Sequence, residues 1–150
     1  MDEPNSEPLR QLLGYWRLKK GDRMAPTRGD IDPAEIKECL PYMGLVDIQR
    51  TPLRFQYRLA GTEITKGYGQ EVTGQFLDGM DLNNHQIRIT QEYERVAESG
   101  LPACSTWEYQ RKDGRHLRYE RLAMPLSSDG KVVDKLIGGC VFEWAFDGAG

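Results

Sequence analysis

No stretch of this chain stays apolar for anything near the ~20 residues of a membrane-spanning helix. The opening MDEPNSEP lacks both the basic start and the apolar stretch of an export signal. A soluble, cytoplasmic protein with no membrane partner is therefore expected. Positive charge is not in excess either: 20 Lys and Arg stand against 23 Asp and Glu, a net charge of -3 with a pI near 5.5. Nothing draws the surface as a whole to phosphate backbones, so nucleic acid is not an expected partner. Cysteine is scarce and widely spaced. Cys39, Cys104 and Cys140 are an odd number in a chain read as intracellular, and they read as buried free thiols. With His85 and His116 the only histidines, no short ligand spacing marks a metal site, and none is expected. A nucleophile elbow and a phosphate-cradling glycine motif are also missing. Ser127 and Ser128 have no base nearby in sequence, and His116 follows a turn and projects toward solvent, so no catalytic residue is assigned.

What is present is enough for one core. The 150 residues, 39% hydrophobic and 29% charged, match a single globular domain, one that buries roughly two thirds of the surface its unfolded chain exposes. Leu9, Leu12, Leu13 and Trp16 fall at i, i+3, i+4 and i+7, which predicts a helix from about Ser6 to Lys20. Asn5 or Ser6 is its cap, Pro8 lies in its first turn and Gly21 ends it. Tyr15 and Leu18 lie partly off the stripe. Two readings follow: a partner chain uses that second surface, or the helix simply folds back over its own sheet. Leu9, Leu12, Leu13, Tyr15 and Trp16 are accordingly interface candidates. After a loop from Met24, Asp32 and Pro33 signal a helix through Leu40 that Pro41 stops. Leu45 to Gln49 and Arg54 to Leu59 then read as a hairpin, whose second strand alternates Phe55, Tyr57 and Leu59 with Arg54, Gln56 and Arg58 like an edge strand.

Between Gly61 and Asp81, five glycines chop the chain into short turns and one-turn helices anchored by Ile64, Tyr68, Val72, Phe76 and Leu77. Having few backbone ladders, this patch is expected to be the softest part of the domain. Asn83 or Asn84 caps a longer helix with Ile89, Tyr93, Val96 and Ala97 inward; Glu92, Glu94, Arg95 and Glu98 are assigned to its solvated face. Treating Asp113-Gly114 as a two-residue loop pairs Tyr109 with Arg118, Trp107 with Glu120 and Ser105 with Leu122. One face of that hairpin then carries Trp107, Tyr109, Arg118, Glu120, Leu122 and Met124, and a one-residue shift would exchange these neighbours. The last strand, LIGGCVFEWAF from Leu136 to Phe146, is apolar at both parities, as a central strand covered on both sides would be. Gly138-Gly139 is read as close packing there.

This order of elements resembles the PAS fold. FQYRLAGTEI (Phe55 to Ile64) leads from a strand into the helical patch, VTGQFLD (Val72 to Asp78) precedes the long helix, and MPLSSDGKVVDKLIGG (Met124 to Gly139) has the proline, Asp-Gly loop and glycine-bearing strand of that family. The likeness is closer to short stand-alone bacterial PAS-like proteins. It is carried by Tyr15-Trp16, by the phrase from Pro26 to Ile48 and by Glu120 through Pro125-Leu126. The fold class implied is α+β: a five-stranded antiparallel sheet with helices packed on one face, plus an N-terminal helix. The expected division is an N-terminal helical extension at 1–22, the PAS-like domain at 23–146 and a flexible tail at 147–150.

The resemblance implies a cytoplasmic sensor or adaptor in bacterial signal transduction, which binds a small ligand or a partner protein without catalysis. The alternatives are a ligand-free interaction or dimerisation module and, behind it, an enzyme using the cavity as active site. Output is expected to pass to a signalling protein such as a histidine kinase in trans, and a homodimer is expected. Pocket candidates are Tyr57, Tyr68, Phe76, Ile89, Tyr93, Trp107, Glu120, Leu122 and Met124. Glu120 is open to two readings, an ion pair with a neighbouring arginine or a ligand contact. The cofactor is unknown. Flavin-binding relatives carry a cysteine in the helical patch, and Gly61 to Asp81 has none, so a covalent flavin is not expected. Haem-binding relatives use a histidine on the longer helix; His85 lies near its start and reads as a surface residue, so haem is not expected either.

Overall fold

The final strand settles the architecture. β5 (Lys135–Trp144) runs between β1 (Met43–Gln49) and β4 (His116–Leu126), with β2 (Arg54–Ala60) and β3 (Ala103–Gln110) at the edges, in the order β2-β1-β5-β4-β3 and antiparallel throughout. The computed structural model describes residues 3–144. The expected continuation of β5 through Ala145 and Phe146, and the tail at 147–150, lie outside those residues.

Both parities of β5 are buried, as its sequence requires. Leu136 and Cys140 belong to one apolar cluster, while Ile137 belongs to the other and Val141 packs against it. Close approach explains the paired glycines: a Cβ on Gly138 would sit 2.1 Å from the Leu122 carbonyl oxygen, and one on Gly139 would sit 2.6 Å from Leu9.

Helices cover the two faces separately. On one lies α1 (Glu7–Lys20), ended by Gly21 at φ 58, with the 3-10 stretch Pro33–Tyr42 beside it. Leu9, Leu12, Leu13 and Trp16 are buried there against Leu45, Leu122, Met124, Leu126 and Ile137. The helix thus folds back over its own sheet, and the four stripe residues offered as an interface are buried within the chain. Tyr15 is half-buried; its hydroxyl donates to Glu35 at 2.8 Å and accepts from the Asp32 amide at 2.8 Å. The Pro33–Tyr42 stretch is a 3-10 run broken at Ile36 (φ -133, ψ 40), where the sequence predicts a helix. On the other face lie α2 (Thr62–Tyr68), the turn Leu77–Gly79 and α3 (His85–Ser99). Asn83 and Asn84 both have left-handed φ (56 and 69), and Asn84 makes no side-chain cap, contrary to the expected capping role.

Two register details depart from the sequence reading. A bulge between Leu45 and Val46 places Leu59 opposite Leu45 and Tyr57 opposite Val46, leaving Leu59 41% exposed where alternation predicts burial. The β3–β4 loop has three residues, Lys112-Asp113-Gly114, closed by the Arg111 amide on the Arg115 carbonyl at 2.8 Å, with Gly114 left-handed at φ 92. Trp107 therefore pairs with Tyr119 and Ser105 with Arg121. This one-residue shift sends Tyr119 and Arg121 to the α3 face and Glu120, Leu122 and Met124 to the α1 face.

Candidate functional site

A charged and aromatic cluster occupies the space between the sheet and α2–α3. Arg121, on β4, is 2% exposed. Its Nη2 lies 3.0 Å from Oε1 of Glu92, its Nε donates to the same oxygen at 3.1 Å, and its Nη1 donates to the Tyr68 hydroxyl at 2.7 Å. The other carboxylate oxygen of Glu92 accepts from the Ser105 hydroxyl at 2.9 Å. Charged groups this deep survive only when paired and hydrogen-bonded, and both are. Burial works against the charge on Arg121, but the Tyr119 and Tyr68 hydroxyls and the Glu92 carboxylate more than offset it and hold its pKa above its already high ordinary value. The sequence pattern places Glu92 on the solvated face of its helix; at 1% exposure it faces the sheet instead. Its position three residues after Ile89 and four before Val96 puts it at the border of the apolar stripe, where Arg121 makes burial tolerable.

The network continues through phenols to a histidine. Tyr68 and Tyr119 hydroxyls lie 3.1 Å apart, and Tyr119 is 2.5 Å from Nε2 of His85. A consistent proton assignment has Tyr119 donating to a neutral His85, Tyr68 donating to Tyr119 and Arg121 donating to both phenols. Burial, reinforced by the Arg121 and Arg88 charges, lowers the His85 pKa from 6.5 to about 3. His85 is thus a buried neutral residue, only 5% exposed, and the surface reading is corrected. Its ring stacks on Tyr109 with centroids 4.2 Å apart and planes at 9°. Burial raises the pKa of the Cys140 thiol beside Arg121, so the thiol is protonated and inert at neutral pH.

Of the pocket candidates, Tyr57, Tyr68, Ile89, Tyr93 and Trp107 are buried on this face, with the Tyr57 and Tyr93 hydroxyls 3.1 Å apart. Phe76 is half-buried at the sheet edge under the Arg54 guanidinium, 3.8 Å from the ring centroid. Leu122 and Met124 pack beneath α1, although Leu122 also borders the interior cavity. Glu120 turns away from the cluster. It accepts from the amides of Asn5 at 2.7 Å and Ser6 at 2.9 Å and from the Ser6 hydroxyl. Burial alone would raise its pKa, but those donors hold it below the ordinary carboxylate value. It pins the start of α1 rather than pairing with a neighbouring arginine, on the face opposite the Arg121 cluster. Sequence reasoning missed Arg121, Glu92, His85, Tyr119 and Tyr109. The available signal was the period-two series Leu117, Tyr119, Arg121, Ala123 read against a three-residue turn.

Little space remains inside. A cavity of about 20 Å³ lies among Tyr57, Tyr68, Tyr93, Arg121, Cys140 and the Gly138-Gly139 backbone, room for about one water. A flavin or haem needs a pocket of the several-hundred-Å³ class. The patch from Gly61 to Asp81 offers no thiol and His85 is held by Tyr119, so the residues present fit neither group in this arrangement. A wider cleft of about 170 Å³ opens outside Tyr68, between the end of α2, the approach to α3 and the β3–β4 turn. Among the described residues no group of three or more His, Cys, Asp or Glu could hold a metal ion, and no helix is long and apolar enough to cross a membrane.

A five-stranded antiparallel sheet with its last strand in the middle and a short-helix patch closing one face defines the PAS class. The profile of the PAS domain family matches residues 4–141, and the chain belongs to that family. No curated protein matches it in sequence. Among solved structures, a light-oxygen-voltage domain studied with a flavin analogue aligns with TM-score 0.52 and 17% identity over 73% of this chain and 82% of its own. The PAS domain of a Colwellia psychrerythraea protein gives 0.52 and 13% over 75% and 98%. The Rhodobacter sphaeroides light-oxygen-voltage protein gives 0.50 and 15% over 75% and 68%. At these identities the likeness is one of fold. Membership in the PAS family marks the chain as a sensory or interaction module.

Proposed function

We propose that this chain is a cytoplasmic sensor or adaptor of bacterial signal transduction, which works by reversible binding of a small polar ligand and a change of shape, with no reaction of its own. One observation carries this reading: the face that the helical patch closes is built around a buried Arg121–Glu92 pair, phenol hydroxyls and a neutral imidazole. Apolar residues in those places would hold an inert core about as well, so a paired charge and a satisfied network there are better explained as recognition groups. The signalling partner, such as a histidine kinase in trans, and self-association as a homodimer belong to the same proposal. Native mass spectrometry of freshly purified protein tests it. A bound small molecule retained by the wild type and lost in Arg121→Met/Glu92→Met supports the sensor; bare protein under all conditions overturns it.

The second reading, a ligand-free interaction module, is favoured by the size of the interior cavity, about 20 Å³. Bare mass together with concentration-dependent association would support it.

A further inference from the structure

The Tyr109 hydroxyl is the anomaly of the polar face. It is buried with no hydrogen-bond partner among the described residues, while its side chain, 9% exposed, is fixed by the stack on His85. A buried hydroxyl left unsatisfied is destabilising, and phenylalanine would make the same stack without it. Tyr109 lines the cleft of about 170 Å³ that Gly69 and Gln70, Asp81 and Leu82, and Arg111 to Asp113 enclose.

The rim of that cleft carries both signs of charge. Lys112 is paired with Asp81, each side chain 63% exposed, and Arg111 is paired with Asp113. A ligand of net negative charge would meet the two aspartates, and one of net positive charge would meet the two cations. A molecule carrying one of each can slip between Lys112 and Asp81, because an exposed pair is easily opened and its two ends are then re-paired by the ligand. With that pair open, a carboxylate that displaces the rim side chains also supplies the acceptor that the buried Tyr109 hydroxyl lacks. Burial raises the Tyr109 pKa, which leaves the phenol protonated and able to donate.

Resting on the sensory reading above, we infer that the Tyr109 cleft is a binding site for a small zwitterion of the α-amino-acid class, its carboxylate held by Tyr109 and Lys112 and its ammonium by Asp81. The site borders the end of α2, the approach to α3 and the β3–β4 turn. Arg111 donates to the Lys66 and Gly67 carbonyls at the end of α2, each at 3.2 Å, and the Asn83 side-chain Nδ2 donates to the Gln110 carbonyl at 2.9 Å. Tyr68 lines both the cleft and the interior cavity. Occupancy of the cleft therefore bears on the ties between the β3–β4 turn and the helical patch, and through Tyr68 on the Arg121 network.

The test is an amide-resolved NMR titration of the whole chain with L-alanine, against acetate, methylammonium and glycerol as controls carrying one charge or none. Saturable shifts at Gly69, Gln70 and Lys112 to Arg115 are expected with L-alanine, with each control at least about tenfold weaker. Tyr109→Phe should keep the wild-type spectrum, melt at an equal or higher temperature and bind about tenfold more weakly, a combination that a purely structural tyrosine would not give. Lys112→Ala, an exposed change that spares the core, should also lose affinity. Absence of saturable shifts, equal response to a control, or undiminished binding by Tyr109→Phe would each overturn the inference. A different molecule found bound at the Arg121 network would leave the sensory reading standing while removing the cleft as its site.

Discussion

The two faces of the sheet are built from neighbouring residues to opposite ends. Beneath α1, Leu122, Met124 and Ile137 meet Leu9, Leu12, Leu13 and Trp16 in an apolar layer whose main deep polar contact is the Trp16 indole donating to the Pro125 carbonyl at 2.8 Å. One residue away along the same strand, Arg121 and Tyr119 enter a network of charge, phenol and imidazole. The two faces divide the labour. The α1 face stabilises by burying area, which is tolerant of what surrounds it; the α2–α3 face is held by partners that must all be present.

The sharpest way to break that contrast is to remove half of the buried pair. Glu92→Met or Arg121→Met should each lower the unfolding free energy by about 3–5 kcal/mol, and Arg121→Met/Glu92→Met should recover most of the loss, as read from urea unfolding. An additive double variant would contradict the pairing. On the other face Leu12→Ala should lose about 2–4 kcal/mol through its cavity, with no coupling to Arg121→Met.

Acid should act on the polar face. The folded pKa of His85 lies at about 3, below its ordinary 6.5, so the unfolded chain takes up a proton more readily than the folded one. Stability from this group is complete above pH 6.5 and declines as pH falls toward 3, by about 2–3 kcal/mol near pH 4.5. Thermal unfolding of wild type and His85→Phe across that window should converge toward low pH. Parallel curves would show that other groups carry the acid response. The smallest effect is expected at Glu120→Gln, which weakens the tether on the Asn5 and Ser6 amides by about 1 kcal/mol and frays the start of α1 without altering Arg121. A loss as large as that at Glu92 would mean that the margin of the α1 face is as demanding as the polar interior.

Much of the fold was legible because it rests on burial. β5 is apolar at both parities and lies in the centre; the i, i+3, i+4, i+7 stripe of α1 is buried; the glycine-rich 61–81 segment holds only the short helix α2 and turns. The site was less legible because it turns on single-residue geometry. Whether Asp113-Gly114 closes a two- or a three-residue loop decides whether Glu120 or Arg121 faces α3, and composition fits both. Glu92 and His85 flank the apolar stripe, where helical period alone does not assign a side. Their burial follows from Arg121 and Tyr119, which come some thirty residues later. Local pattern therefore located the elements, whereas the buried network is a property of tertiary pairing.

Native-state hydrogen exchange resolved by residue measures the contrast between the faces most directly. Amides of α2 and the following turns should exchange through local openings well below the global unfolding free energy, while those of α1 between Leu12 and Arg17 should approach the global value. Equal protection of the two regions, or earlier opening of α1, would contradict the assignment of a stable apolar face and a responsive polar one.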